Sequence, residues 1–147
     1  MHGVFLPDEL NTRITQRHAA RSQPQPACKA EVATVKSLTM EEAVQQCDCV
    51  IDIISQLFDI SSREIRSSTR NSASVARVRQ IGMYVCHVTL GMYLQQISEG
   101  FSRDRSTVTH ACHLVEDLRD DEEIDRIIAK VEAVIAAALR PNKRAKP

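Results

Sequence analysis

The feature that most restricts how this chain can fold is a pair of helical apolar patterns with very little sequence between them. Leu94, Ile97 and Phe101 recur at helical spacing, and a second pattern starts at Val108. The second pattern comprises Val108, Ala111, Cys112, Val115 and Leu118. Only a tight turn at 102–103 fits between the two patterns. A short helix, a tight turn and a longer helix predict a helix-turn-helix.

The second helix of this pair carries a polar face opposite its apolar stripe, and we expect it to begin at Arg103. Four hydrogen-bonding residues lie on that face at i, i+3, i+4 and i+7: Arg103, Ser106, Thr107 and His110. Such side chains can meet base edges or phosphates. Asp104 can cap the helix, and the acidic residues Glu116 and Asp117 come late enough to point away from a docked duplex. The spacing alone also fits an ordinary solvated helix face.

The remaining patterns are helical, and no strand pattern occurs, so the expected fold is an all-α helical bundle that contains the helix-turn-helix. Thr39 and Glu42 form a capping box where ordered structure begins. Ser61 and Glu64 form a second capping box, which opens a short helix. A long helix follows a polar loop and ends before Gly91, because glycine suits a helix C-terminal cap.

Four segments are expected along the chain. They are a disordered arm or linker over 1–37, the helix-turn-helix domain over 38–120, an additional C-terminal helix over 121–140 and a basic tail over 141–147. The basic residues of the arm either touch DNA phosphates or belong to a solvated tail. The apolar stripe between Ile124 and Leu139 either covers the core of its own domain or forms the seam of a homodimer.

The distribution of charge is more informative than its sum. The formal net charge is zero, from 19 basic and 19 acidic residues. The segment between Ser61 and Arg119, however, contains eight arginines and five acidic residues, which is an excess of three positive charges. Arginine forms bidentate bonds to phosphate and to guanine edges, which a lysine point charge does not match. This local excess favours a nucleic-acid partner.

Several other classes of function lack their sequence signature. No G-x-x-x-x-G-K-[ST] phosphate loop occurs, so we expect neither a bound nucleotide nor ATP hydrolysis. His110, Cys112 and His113 point in different directions from one helix, and no second ligand pair has zinc-like spacing, so we expect no metal. Cys86 and His87 are adjacent on a helix and point about 100° apart, so they cannot act as a nucleophile and its base. We therefore expect no enzyme and no cofactor.

The expected location is the cytoplasm, in association with the nucleoid. The cysteine count is odd, at five, and no secretory signal is present, which indicates free thiols in a reducing compartment. No apolar run approaches the roughly 20 residues that cross a bilayer. We therefore expect a soluble protein without a membrane partner.

Three motifs follow one another in this sequence. They are Val75-Ala76-Arg77-Val78-Arg79-Gln80, then Leu94-x-x-Ile97-x-x-x-Phe101, then Arg103-Asp104-Arg105-Ser106-Thr107-Val108-x-His110-Ala111-Cys112. Together they resemble the C-terminal DNA-binding domain of the bacterial replication initiator DnaA, whose patterns are S-V-A-R-P-R-Q, L-x-x-I-G-x-x-F and G-G-R-D-H-T-T-V-x-H-A. The similarity covers roughly residues 45–119 with nearly constant spacing. It implies a Trp-repressor-like helix-turn-helix, here as a stand-alone protein without the ATPase domain.

The resemblance also implies which residues contact DNA. The matching positions are Arg79 and Gln80 near the DNA backbone, with Arg103, Asp104, Ser106, Thr107 and His110 in the major groove. The family's basic loop places an arginine in the adjacent minor groove, and the matching loop here contains Arg70. We add Arg77 as a phosphate contact and Arg105 as a base contact.

The sequence departs from the family pattern at several positions. Arg105 stands where the family has histidine, Ser106 where it has threonine, and Val78 where it has proline. The Gly-Gly pair is reduced to Ser102, which shortens the turn by one residue, and the loop over 69–73 has one arginine only. These changes imply that the helix reads a target site of its own, related to the family's site.

Two functions are compatible with these observations. The first is sequence-specific binding of double-stranded DNA, by a transcriptional regulator or a modulator of replication initiation at DnaA-box-like sites. The alternative is a protein-interaction module that kept the fold and lost specific DNA binding. Two observations favour the alternative: the loop over 69–73 has only one arginine, and the net charge of the chain is neutral.

Overall fold

The computed structural model describes residues 38–69 and 72–139. The arm predicted over 1–37, Arg70 and the tail predicted over 141–147 lie outside the described residues. The described part consists of helices and connections without a strand, which confirms the all-α prediction. Its helices are α1 (Met40–Phe58), α2 (Ser62–Arg66), α3 (Ala73–Val88), α4 (Leu94–Phe101), α5 (Arg105–Leu118) and α6 (Glu122–Leu139).

The start of α1 has the predicted capping box. The backbone N–H of Glu42 donates to Oγ1 of Thr39 at 3.2 Å. In return, the backbone N–H of Thr39 donates to Oε2 of Glu42 at 2.9 Å. Both bonds satisfy donors that a helix N-terminus otherwise leaves free.

The second predicted capping box is wrong. Ser61 is the N-cap of α2, but its side chain makes no capping bond. Its backbone carbonyl accepts instead from the N–H groups of Glu64 and Ile65, at 3.0 and 3.2 Å. Burial of Ile65, which is 1% exposed, anchors this short helix on its inner side. Tertiary packing therefore replaces the local side-chain cap.

The core lies among the long helices α1, α3, α5 and α6 and the shorter helix α4. Helix α1 packs mainly against α4, and α3 packs mainly against α5. The α1–α4 contact is close because Gly100 has no side chain: a Cβ atom there would overlap Sγ and Cβ of Cys47. Helix α3 ends at Val88, and Gly91 follows with φ 66°, which confirms the predicted break. The two helices of the helix-turn-helix are thus each fixed on a different long helix.

Helix α6 uses its apolar stripe within its own domain. Ile124, Ile128, Val131 and Ile135 are all at most 5% exposed and belong to the common core. Asp121 caps the helix, since its Oδ1 accepts from the N–H of Glu123 at 3.0 Å. Of the two alternatives for this stripe, the structure shows the one in which it covers its own core.

Candidate nucleic-acid interface

The connection between α4 and α5 is a tight turn. Ser102 ends α4 in the left-handed conformation, with φ 51° and ψ 48°. The backbone N–H of Ser102 donates to the carbonyl of Glu99 at 3.3 Å, and that of Arg103 donates to the carbonyl of Ser98 at 3.0 Å. This pattern closes the last turn of α4 in the manner of a Schellman motif. The predicted turn is present, with serine in a conformation that glycine adopts more readily.

Helix α5 begins at Arg105, so the predicted start at Arg103 is two residues too early. Asp104 is the N-cap, and its backbone carbonyl accepts from the N–H of Val108 at 3.1 Å. Its side chain makes no capping bond, contrary to the expectation from sequence. Arg103 therefore belongs to the turn, as the prediction of a tight turn at 102–103 had it, and it does not continue the helical face of Ser106.

The remaining residues of the predicted polar face lie together on the surface of α5. Arg105, Ser106, Thr107 and His110 are exposed, as is the N-cap residue Asp104. The opposite side of the helix is buried, with every member at most 5% exposed: Val108, Ala111, Cys112, Val115 and Leu118. The N-terminal half of α5 thus presents a continuous polar surface on a rigidly packed helix.

Arg103 points back into the protein. Its Nη2 donates to the backbone carbonyl of Ser67, in the segment between α2 and α3. Its Nε is buried without a hydrogen-bond partner in the described part of the chain. The side chain is half-buried, whereas that of Arg105 is exposed. The two arginines that flank Asp104 therefore occupy different environments.

Arg79 of α3 converges on the same segment. Its Nε donates to the carbonyl of Ile65 at 2.7 Å, and its Nη2 lies 3.2 Å from the carbonyl of Glu64 and 3.3 Å from that of Ser67. The carbonyls of Glu64 and Ile65 belong to the last turn of α2, where helical carbonyls lack partners within the helix, and Ser67 directly follows that helix. Burial and the nearby positive charge of Arg103 lower the pKa of Arg79. Two guanidinium groups thus share the carbonyl of Ser67.

Arg77 and Gln80, both on α3, form a hydrogen bond with each other. Arg77 is 8% exposed, and its Nη1 donates to Oε1 of Gln80 at 2.9 Å. Its Nε has no partner among the described residues. Burial lowers the pKa of Arg77 to about 10. Contact of Arg77 with a phosphate would require this side chain to leave its buried position.

Sequence reasoning missed the contribution of Ser67. The residue acts through its backbone carbonyl, which every amino acid carries, so no side-chain pattern could indicate it. Arg70, the predicted minor-groove residue, lies outside the described residues.

Other kinds of site are not formed by the described residues. Within 38–69 and 72–139, no three His, Cys, Asp or Glu side chains are grouped so that they could hold a metal ion. In the same ranges, no helix combines the length and the apolar character needed to span a membrane. Among the described residues, Cys47, Cys86 and Cys112 are buried thiols outside any disulfide, and Cys49 is an exposed one.

The fold and this surface define a helix-turn-helix protein. Residues 47–115 match the family described as the bacterial dnaA protein helix-turn-helix. This part of the chain is a DnaA-type helix-turn-helix domain, as the motifs in the sequence indicated. It includes the turn and the polar face of α5, and it ends before α6.

Several chromosomal replication initiator proteins DnaA are similar to this chain. The chain is 38% identical over 90 residues to the chromosomal replication initiator protein DnaA of Lachnoclostridium phytofermentans, which covers 57% of this chain and 20% of that protein. It is 33% identical over 84 residues to DnaA of Pseudothermotoga lettingae, covering 53% and 19%. With DnaA of a Nostoc species it shares 26% identity over 122 residues, covering 82% and 26%. The chain thus spans about a fifth to a quarter of the length of these relatives.

Proposed function

We propose that this domain binds double-stranded DNA sequence-selectively by placing the N-terminal end of α5 in the major groove. The polar surface of α5 carries this proposal, because its members are exposed on a helix whose other side is fixed in the core. In a docked helix-turn-helix, the first residues of the second helix contact base edges while the first helix crosses the backbone. The acidic residues Glu116 and Asp117, at the far end of α5, would then lie away from the duplex.

The surface offers several kinds of base contact. Arg105 can donate two hydrogen bonds to a guanine, and Asp104 can accept from the amino group of a cytosine. Ser106, Thr107 and His110 supply shorter donors and acceptors, and the methyl group of Thr107 can also touch a thymine methyl. We propose that these residues select the sequence. The resemblance adds Arg103 to this set.

Phosphate contacts would supply the salt-dependent part of the affinity. We assign them to Arg79 and Gln80, which are half-buried, to Arg77 after a rearrangement, and to Arg70, on the basis of its sequence position alone. Removing one such contact should weaken binding to all sequences alike and reduce the salt dependence.

We propose a role as a transcriptional regulator or as a modulator of replication initiation, at sites that resemble DnaA boxes. The support is that the similar proteins are chromosomal replication initiators and that the match includes the turn and the polar face of α5. A homodimer through α6 would have to use the outer side of this helix, where Val134 is 41% exposed, because the inner stripe lies in the core. Light scattering of the free protein and of its DNA complex tests for that dimer.

Selection from a random pool of DNA duplexes tests the proposal. We expect an enriched motif that binds the wild-type protein more tightly than scrambled duplexes do, at both low and moderate salt. Arg126→Ala is the matched control, because Arg126 is an exposed arginine on α6, far along the chain from the turn. Absence of any enriched motif would contradict the proposal.

A protein-interaction module is the second candidate. One observation of the structure favours it: three of the arginines predicted to contact DNA, Arg77, Arg79 and Arg103, bond to groups of their own chain. The same selection experiment separates the two candidates, since a module that has lost DNA binding enriches no motif.

A further inference from the structure

We propose that Arg103 is a positioning residue in this chain and that Arg105 is the arginine that reads a base. This inference rests on the proposed function, namely that α5 enters the major groove. It departs from the assignment that the resemblance implies, under which Arg103 contacts bases. The two arginines are separated only by Asp104, so the environments of their side chains can be compared directly.

The first argument is the contact that Arg103 already makes. Its Nη2 donates to the carbonyl of Ser67, and its Nε is enclosed by protein. For Arg103 to reach a base edge, the side chain would have to break this bond and move out of the protein. Arg105 needs no such movement, because its side chain is exposed and makes no hydrogen bond or ion pair among the described residues.

The second argument is the geometry of the turn. Ser102 is the left-handed residue that closes α4, and Arg103 follows it directly with its N–H bonded to the carbonyl of Ser98. Arg103 is therefore fixed by its backbone to the end of α4. Arg105 is the first residue of α5, and its carbonyl accepts from Oγ1 of Thr109 at 3.0 Å. Arg105 thus belongs to the helix that carries the other proposed base contacts.

The third argument is what Arg103 accomplishes where it is. It joins the turn to Ser67, and Arg79 joins α3 to the same carbonyl and to those of Glu64 and Ile65. The negative end of the short helix α2 favours these two positive groups, although they repel each other. The two arginines together therefore hold α2, α3 and the helix-turn-helix in one arrangement. Loss of Arg103 should disturb this arrangement without altering any base contact.

The test compares glutamine substitutions at the two arginines. Arginine pairs with guanine and glutamine pairs with adenine, so Arg→Gln at a base-reading position changes the preferred base. Selection from a random duplex pool is carried out with the wild-type protein, Arg103→Gln, Arg105→Gln and the control Arg126→Gln. Affinities for the selected site and its single-base variants are then measured by fluorescence anisotropy, after circular dichroism has verified that each variant is folded.

We expect Arg105→Gln to lose about tenfold or more of the preference at one base pair, or to shift that preference towards adenine. Arg103→Gln should keep the wild-type motif, bind all sequences more weakly by a similar factor and unfold at a lower temperature. If Arg103→Gln does not fold, Arg103→Lys, which keeps a donor for Ser67, replaces it and should also keep the motif. A changed base preference in the Arg103 variant, with an unchanged one in Arg105→Gln, would overturn the inference. Absence of a motif for the wild-type protein would instead overturn the proposed function.

Discussion

Arg119, the residue that follows α5, donates from its Nε to Oδ1 of Asp125 on α6 at 2.6 Å. From Nη1 it also reaches Oε1 of Glu132 at 2.9 Å and the hydroxyl of Tyr84 at 3.3 Å, and its guanidinium lies 5.9 Å from the centre of the Tyr84 ring. Burial would lower the pKa of Arg119, but its hydrogen bonds to Asp125, Tyr84 and Glu132 raise it above the usual value. This side chain therefore joins the proposed reading helix to α3 and α6.

Replacing Arg119 should destabilise the domain. Arg119→Met leaves two carboxylates and a tyrosine hydroxyl without their common donor, and we expect a loss of about 1–3 kcal/mol in the free energy of unfolding. Arg126→Met is the matched control, because the Arg126–Glu122 pair is exposed at 3.8 Å and should contribute less than about 0.5 kcal/mol. Urea denaturation measures both variants. Equal effects would show that the Arg119 contacts are no more important than a surface ion pair.

The left-handed conformation of Ser102 leads to a prediction of increased stability. A residue with a Cβ atom is disfavoured at φ 51°, so Ser102→Gly should stabilise the domain by about 0.5–1 kcal/mol. Ala129→Gly is the control, since Ala129 lies exposed in the interior of α6, where glycine costs about 1 kcal/mol. Thermal unfolding should move in opposite directions for the two glycine variants. A decrease for both would contradict the geometry of the turn.

The buried cation of Arg77 should reduce stability at neutral pH. Burial lowers its pKa from the ordinary arginine value to about 10 in the folded protein, so the folded state disfavours the charged form. This unfavourable contribution is complete below about pH 10 and diminishes as the pH rises above 10 towards the ordinary pKa of an arginine. We therefore expect Arg77→Met to stabilise the protein by about 1–2 kcal/mol at pH 7, since apolar groups often replace buried charges favourably.

Urea denaturation of Arg77→Met and of the wild-type protein at pH 7 and at pH 10.5 measures whether the variant is more stable and how the difference in stability changes with pH. The advantage of Arg77→Met should be smaller at the higher pH. A destabilised variant at pH 7 would mean that the bond from Arg77 to Gln80 outweighs the burial of the charge.

The two predicted capping boxes give a paired prediction. Thr39→Ala removes the side chain that accepts from Glu42, and it should cost about 1 kcal/mol of stability. Ser61→Ala removes a side chain that makes no capping bond, so its effect should lie within about 0.5 kcal/mol. Denaturation curves of the two variants, recorded under one set of conditions, are compared. A larger loss for Ser61→Ala would contradict the geometry at the start of α2.

Sequence patterns were sufficient to predict those parts of the structure that depend on residues close together in the chain. The apolar stripe of α5 and the break at Gly91 are local features, and both are present in the structure. The capping box of Thr39 was also predictable, because it lies at the start of a long amphipathic helix. The class of fold and the location of the polar surface followed from these features.

The predictions were wrong for residues whose contacts in the structure come from groups distant in the sequence. The side chain of Ser61 does not cap α2, and that short helix is held instead by burial of Ile65 and by Arg79 from α3. Arg103 fitted the helical spacing of the polar face, but the carbonyl of Ser67, 36 residues earlier, receives its guanidinium. A backbone acceptor carries no sequence signal, so the position of this arginine could not be inferred from spacing.

The most direct test of the central claim is an anisotropy titration of the selected duplex with Thr107→Ala and His110→Ala. Both side chains lie on the exposed surface of α5. We expect each variant to bind the selected site about 1–3 kcal/mol more weakly, while affinity for a scrambled duplex at the same salt stays unchanged. Arg126→Ala should match the wild-type protein on both duplexes. Wild-type affinity of Thr107→Ala and His110→Ala for the selected site would contradict the account.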